Sequence, residues 1–318
     1  MTNLNTPVLF LIFNRPETTE LVFERIREAQ PPRLYIASDG PRPGREGEIE
    51  LCQQARGVIN LVNWNCEVQT LIRDENLGCG KAVSSAIDWF FENEEYGIIL
   101  EDDCLPDLSF FLYCEELLKY YLNNQEVGVI SGNQFVNADR LKTSYYFSNY
   151  PHIWGWATWR RVWNNYDFKM KDWPLVKQTQ LLLEKTGSVF YADKWQSIFD
   201  RVYNGIIDTW DYQLVHMLWV NNQLCITPKI NLVTNIGFSQ NATHTMNPKD
   251  SEKFLVEAGY LALPLSHPKK LRQNFLMDKA YTKFYFGAKK SILKRIHKSV
   301  KHRLVAVRYF LIKVFCKH

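Results

Sequence analysis

Residues 98–106 read Ile-Ile-Leu-Glu-Asp-Asp-Cys-Leu-Pro. Three aliphatic side chains run directly into three acids. A continuous apolar run of this kind suits a strand buried on both faces, as in a parallel sheet covered by helices. The acids then fall at the strand's carboxyl end, where open parallel sheets bind their ligands. Glu101, Asp102 and Asp103 crowd three negative charges together. Adjacent carboxylates need a cation or a hydrogen-bond network to stay ionised. A hard divalent ion, Mg²⁺ or Mn²⁺, that also touches a diphosphate would meet that need. A solvated acidic turn is the plain alternative.

The sequence before this stretch alternates between strand and helix patterns. Residues 7–13, Pro-Val-Leu-Phe-Leu-Ile-Phe, read as a buried first strand. Asn14-Arg15-Pro16-Glu17 breaks it, with Pro16 and Glu17 suited to a helix's first turn. Leu34 to Ala37 forms a second strand ending at Asp39, which can accept from a nucleobase or ribose or can simply open a turn. A helix is expected over 46–59 and a strand over 66–72. Asn76-Leu77-Gly78-Cys79-Gly80-Lys81 then leads into an apolar helix over 82–91. Glycines let backbone approach a ligand and a helix N-terminus attracts anions, although the spacing is not that of a P-loop. A helix over 107–121 and a strand over 127–131 follow the acids. This order predicts a right-handed parallel α/β sheet.

The second half is more aromatic. Trp154, Gly155, Trp156, Trp159 and Trp163 lie close together, and the last three Trp keep helical spacing. Asp208-Thr209-Trp210-Asp211 precedes an apolar helix over 212–220, so Asp211 reads either as a cap or as a catalytic acid. Residues 225–230 suggest a late strand, and 233–244 read as irregular. His244 alone reads as a surface or structural residue.

Nearly half the chain is hydrophobic, 46% of 318 residues, enough for one large α/β domain with additions or two small ones. The net charge of +4 hides an asymmetry. Residues 279–318 carry 12 Lys or Arg and no acid, leaving 26 basic against 34 acidic residues elsewhere. An acidic body argues against a nucleic-acid-binding domain, and a basic tail points to a partner of its own. Ile292, Ile296, Val300, Leu304, Val307 and Leu311 trace one helical face of that tail, with Lys and Arg largely off it. Such a helix is too interrupted to span a bilayer and would lie on an anionic membrane surface, or pack on its own domain or a second subunit. The 7 cysteines are scattered without a paired motif, and no basic-then-apolar leader opens the chain, which together suggest reduced thiols in the cytoplasm, possessing at most a peripheral membrane contact. Asn241-Ala242-Thr243 is then a chance sequon.

Taken in order, these residues resemble GT-A glycosyltransferases, the Rossmann-like fold of nucleotide-sugar-dependent enzymes. They look closest to family 2-like inverting members, and the acid motif is also similar to the N-acetylglucosaminyltransferase I type. The resemblance covers roughly 7–245 and implies a mostly parallel sheet flanked by helices, followed by a helical basic C-terminal tail. It implies a glycosyltransferase domain over 1–248, with a nucleotide-sugar half over 1–133 and an acceptor half over 134–248, and an extension over 249–318. Asn14, Arg15, Asp39, Asn76, Gly78 and Lys81 would contact the donor. Glu101, Asp102 and Asp103 match the variant DxD motif, with Asp103 reaching Mn²⁺ or Mg²⁺ and His244 approaching the metal or diphosphate. Asp211 would be the base, and Trp154, Gly155, Trp156 and Trp210 would build the acceptor side. The base motif departs from many relatives in having Trp rather than Glu before Asp.

The implied reaction is inverting transfer from a nucleotide sugar, with UDP favoured on family frequency, to a glycan, a lipid-linked glycan or a glycoprotein. Two alternatives stand beside it. A sugar nucleotidyltransferase shares this kind of sheet but usually has a glycine-rich loop after strand one, which Asn14-Arg15-Pro16 lacks. A non-catalytic sugar- or nucleotide-binding module would keep the aromatics without needing Asp211 or a metal.

Overall fold

A computed structural model of the chain describes residues 4–237 and 252–287. His244 and the tail stripe from Ile292 to Leu311 lie outside the described residues. The frame is an eight-stranded sheet formed by β1 (Val8–Ile12), β2 (Arg33–Ser38), β3 (Glu67–Ile72), β4 (Tyr96–Glu101), β6 (Val127–Ser131), β7 (Tyr145–Ser148), β8 (Trp156–Trp159) and β9 (Leu224–Pro228). A two-stranded ribbon pairs β5 (Cys104–Pro106) with β10 (Val233–Asn235).

The sheet order is β3-β2-β1-β4-β8-β6-β9-β7. The first four strands are parallel, as the alternating pattern predicts. β1 and β6 are buried along their whole length, and β4 nearly so, which is why each appears in the sequence as an unbroken apolar run. β3 is the edge strand, and Glu67 and Gln69 keep it polar. β8 runs antiparallel to both β4 and β6, and β7 antiparallel to β9, so the sheet is mixed with a parallel majority.

Helices α1 (Pro16–Ala29), α2 (Glu48–Arg56), α3 (Cys79–Asn93) and α4 (Leu108–Tyr120) connect the parallel strands. α2 stops at Arg56 and tightens into a 3₁₀ turn over Gly57–Leu61, so the helix expected over 46–59 is shorter than its pattern. Asp107 caps α4 by accepting from the Ser109 N–H at 2.8 Å. After β8 come α5 (Arg160–Trp163), α6 (Trp173–Val176), α7 (Leu181–Thr186), α8 (Val189–Tyr203) and α9 (Asp211–Val220). α10 (Phe275–Phe286) closes the described chain.

The structure corrects three readings. Trp156 and Trp159 are not on a helix but on β8, where residues three apart face opposite sides of the sheet. Only Trp163 is helical. Both strand tryptophans are fully buried, so their place in the core holds although the period does not. Residues 233–235, expected to be irregular, form β10 because β5 offers them a partner. Residues 145–148, polar and aromatic in sequence, form β7.

Packing forms one core around the sheet and a second beyond it. The second gathers Trp173, Trp195, Phe199, Trp219 and Tyr281 from α6, α8, α9 and α10, with Tyr150 from the segment after β7. The stretch 252–287 is built into this body. Asp278 of α10 accepts from Ser148 Oγ at 2.6 Å and from the Asn149 N–H at 2.9 Å. The Asn274 N–H donates to the Phe147 carbonyl at 2.7 Å, and Gln273 bridges to Phe147 in a parallel sense. Among the described residues, no helix is long and apolar enough to cross a membrane. Cys52, Cys66, Cys79, Cys104, Cys114 and Cys225 are free thiols.

Candidate functional site

The site is built where β1 and β4 lie side by side. Leu11 pairs in register with Glu101, so the residues leaving β1 meet those leaving β4. The sheet order reverses at this pair, since β1 continues outward to β2 and β4 inward to β8. Such a switch point is where open α/β sheets form their ligand crevice.

The acid triplet is not solvated. Asp102 is 2% exposed and Glu101 is partly buried. Arg15 reaches across from β1 and bonds two of the three acids. Its Nη2 donates to Asp102 Oδ1 at 2.6 Å and its Nη1 to Asp103 Oδ2 at 2.6 Å. The Phe13 N–H donates to the other oxygen of Asp102 at 3.1 Å. Burial pushes the Glu101 and Asp102 carboxyls well above the ordinary carboxylate range, and the Asp103 charge pushes each further, with Arg15 opposing. For Arg15, burial works against the charge, yet Asp102 and Asp103 outweigh it and hold the guanidinium firmly protonated.

The ribbon folds over this cluster. The Ile236 N–H donates to the Asp103 carbonyl at 2.8 Å. A Cβ on Gly237 would overlap Asp103 Oδ2 and lie 2.6 Å from Arg15 Nη1, so any larger residue must displace that ion pair or the ribbon. Gly155, at φ +70, is pressed against Val233 of the ribbon in the same way, and its carbonyl accepts from the Gly132 N–H at 2.8 Å.

The other candidate donor residues divide. Asn14 turns away from the acids, its Nδ2 donating to Glu48 Oε1 at 2.9 Å. Asp39 holds a neighbouring loop, accepting from Asn76 Nδ2 at 2.9 Å and from the Leu77 N–H at 3.1 Å. Burial raises its pKa while these backbone N–H groups work against the rise. Gly78 precedes α3 at φ +78, and Lys81 is exposed in the first turn of that helix. The anion at the α3 N-terminus is a side chain of this protein. Asp208 Oδ1 accepts from the Gly80 N–H at 3.2 Å, and a Cβ on Gly78 would lie 2.7 Å from Asp208 Oδ2.

Asp211 is the first residue of α9, with Trp210 in the capping position, so its expected role as a cap is not what the structure places there. The Thr209 hydroxyl donates to Asp211 Oδ1. Trp210 is buried and stacks on Trp156, and its carbonyl accepts from the Tyr166 hydroxyl at 2.9 Å. The Asp211 charge adds to the load on Glu101. Cys79, at the start of α3, marks the meeting point. Burial raises its thiol pKa above the usual range, and Glu101, Asp211, Asp208 and Asp103 all raise it further. Trp154 lies edge-on to Phe135 and Phe254, with centroids at 5.6 and 5.8 Å.

The structure brings Arg15 into direct contact with Asp102 and Asp103 at the carboxyl ends of β1 and β4, with the Asp211 charge bearing on Glu101 and Cys79, and sends Asn14, Asp39 and Asn76 to hold neighbouring loops. Asp208, Cys79 and Gly237 lie in the same surroundings and were not singled out from sequence. For Asp208 the signal was the acid pair flanking Thr209-Trp210. For Gly237 there was none.

Among the described residues, no three His, Cys, Asp or Glu side chains are grouped to hold a metal ion. Mg²⁺ or Mn²⁺ here would have to be shared between this triplet and a ligand's own oxygens. Such ions commonly take one or two carboxylates plus substrate phosphates rather than a cage of side chains. Asp103 would be that carboxylate.

No family model matches the chain, and no curated protein does. Several solved structures are similar to parts of it. HddC from Yersinia pseudotuberculosis is 12% identical over 51% of this chain and 80% of that one, with a TM-score of 0.32. A cytidylyltransferase from Leptospira borgpetersenii is 10% identical over 51% of this chain and 64% of its own, with a TM-score of 0.34. An apo UDP-glucose pyrophosphorylase is 10% identical over 72% of this chain and 93% of its own, again with a TM-score of 0.34. By name, the last two are nucleotidyl-transfer enzymes rather than glycosyltransferases. At these scores they carry no argument between the two.

Proposed function

We propose that the protein is a nucleotide-sugar-dependent glycosyltransferase that transfers a sugar with inversion to an acceptor hydroxyl. The reading is carried by the Glu101-Asp102-Asp103 triplet at the β1–β4 switch point, with Asp211 placed so that its charge bears on Glu101. The acceptor oxygen attacks the anomeric carbon as its proton passes to the Asp211 carboxylate. The bond from the anomeric carbon to the diphosphate oxygen breaks, and the nucleoside diphosphate leaves with the electron pair. A single displacement inverts the anomeric centre, and a placed carboxylate base contributes about 10²–10⁴-fold. A divalent ion on Asp103, when bound, would offset the charge that grows on the departing diphosphate. Trp210, fixed on Trp156, holds Asp211 in place, and Trp154 with Gly155 flanks the acceptor side. UDP-sugars are the proposed donors, and a glycan, lipid-linked glycan or glycoprotein the acceptor. The basic tail over 279–318, with its apolar stripe from Ile292 to Leu311, is proposed to contact an anionic membrane. Full chain should sediment with anionic vesicles at low salt and a chain ending at Gly287 should not, and equal sedimentation would remove the tail as the anchor.

The second reading is sugar nucleotidyl transfer, which shares this kind of sheet. Against it stands the β1–α1 connection, Phe13-Asn14-Arg15, which has no glycine and whose Arg15 is held by Asp102 and Asp103. A triphosphate cradle needs exposed backbone N–H groups in a loop. Chromatography of a nucleotide-sugar panel incubated with Mn²⁺ separates the readings. Release of nucleoside diphosphate supports glycosyl transfer. Formation of nucleoside triphosphate on adding pyrophosphate would replace it with the second. Thermal stabilisation without turnover would reduce the protein to a binding module.

A further inference from the structure

Helix α9 carries Gln213 and His216 three residues apart, on one face. With Asp167, Asp172 and Met217 they line a cavity of about 160 Å³ whose walls include none of the acid triplet. His216 is 4% exposed and Gln213 3%. The Gln213 amide donates to the Thr209 carbonyl at 2.7 Å and the Phe168 carbonyl at 3.4 Å. Its Oε1 and the His216 Nε2 are buried without a hydrogen-bond partner on the protein. Asp172 Oδ1 faces that Nε2 at 3.6 Å, too far for a hydrogen bond. Asp172 stands in the capping position of α6, yet its carboxylate caps no backbone N–H there. Burial lowers the imidazole pKa, with Asp172 and Asp167 opposing, and so favours the neutral ring. With its proton on Nδ1, that ring turns a lone pair toward a carboxylate. With its proton on Nε2, the N–H falls short of its acceptor. A cation between the two groups satisfies both. Trp173 and Phe199 pack edge-on against the ring at 5.8 and 5.6 Å and fix its direction.

We propose that His216 and Asp172, with Gln213 Oε1 on the same wall, form a site for a zinc-type divalent ion that braces the 165–172 loop against α9. Zinc takes imidazole nitrogen and carboxylate oxygen at about 2.0–2.2 Å, and two such ligands on a tetrahedral ion lie about 3.4 Å apart. The separation of 3.6 Å is close to that bite. An imidazole among oxygen donors suits Zn²⁺ better than Mg²⁺ or Ca²⁺. Asp167 does not join, since its carboxylate already accepts from the Lys169 and Lys171 N–H groups at 3.0 and 2.8 Å. Among the described residues no third His, Cys, Asp or Glu completes a cage. Water completes the shell instead, reaching the ion past Asp172, whose side chain is 48% exposed. Affinity is therefore below that of a four-ligand structural site. The proposal uses no residue of the glycosyl-transfer reading and is independent of it.

The test is calorimetric titration of the untagged full chain with Zn²⁺, and visible absorption of Co²⁺ as its spectroscopic substitute. Both are run in the Asp103→Asn background, which sets aside any ion at the acid triplet. That protein should bind one equivalent, give the intense Co²⁺ absorption of a four-coordinate site, and melt at a higher temperature with Zn²⁺. Adding Asp172→Asn or His216→Gln should weaken binding at least about tenfold, since even changes to groups behind a metal's ligands cost that much. Near-ultraviolet circular dichroism checks the fold. Asp172 is half exposed, so Asp172→Asn carries the test if His216→Gln does not fold. Absence of Zn²⁺ binding in the Asp103→Asn protein overturns the proposal. So does undiminished binding in either folded variant, which would mean an ion held elsewhere and a plain side-chain contact here. Neither result touches the donor reading, which fails only if Asp103→Asn leaves transfer intact.

Discussion

Trp210 lies face to face with Trp156, ring centroids 5.5 Å apart and planes inclined by 22°. The residue before Asp211 is thereby anchored to the central sheet rather than to its own helix alone. Trp210→Ala should cost about 3–5 kcal/mol of stability by leaving a cavity against Trp156. It should also lower turnover by loosening Asp211, whereas Trp210→Phe should lose less of both. Chemical denaturation and steady-state kinetics read the two effects. A stable Ala variant with normal turnover would show that the stack does not position the base.

Asp211 sits in the first turn of α9, where a carboxylate gains only about 0.3–1 kcal/mol from the helix dipole. Asp211→Asn should therefore remain folded while turnover falls about 10²-fold or more, with donor affinity nearly unchanged. Normal turnover in that variant would leave Asp211 a structural residue only.

Gly237→Ala adds one methyl at the Arg15–Asp103 contact. The extra carbon must displace either the ribbon or the ion pair, at a cost of about 1–3 kcal/mol. Denaturant melts should show that loss together with loss of activity. A variant as stable and active as wild type would mean that the ribbon does not seal the crevice.

His152 is 5% exposed and packs against the rings of Tyr281 and Phe135, at 4.6 and 5.0 Å. Burial pulls its pKa down to about 3. In the unfolded chain the value is near 6.5, so as pH falls the unfolded chain takes the proton first. The stability from a neutral His152 is whole above about pH 6.5 and is lost as pH falls toward 3. Denaturation at a series of pH values should show a flatter acid limb for His152→Phe. An unchanged limb would assign the loss to other groups.

The legible parts of this fold are those that one strand or helix decides by itself. β1, β4 and β6 are nearly or wholly buried, so each writes its burial into a short apolar run. β10 spans only three residues and exists because β5 pairs with it, so no local pattern could reveal it. β8 fails for another reason, since Trp156 and Trp159 keep a helical spacing while the strand is buried on both faces by its pairing with β4 and β6. The same division holds at the site. The position of Glu101 to Asp103 at a strand's end follows from the sequence around them. That Arg15 pairs with two of them depends on β1 lying beside β4, and that Asp208 meets Gly80 depends on contacts across 128 positions.

β7 is the last strand of the sheet, and its outer side would present unpaired backbone groups. Residues 273–274 take up part of that edge before α10 turns away. A flat edge left open is a template on which another chain can add a strand. Shortening the protein at 248, where the family resemblance implies that the first domain ends, would uncover β7 and take Asp278 from Ser148 and Asn149. The segment that looks like an appendage therefore covers part of the sheet's open edge.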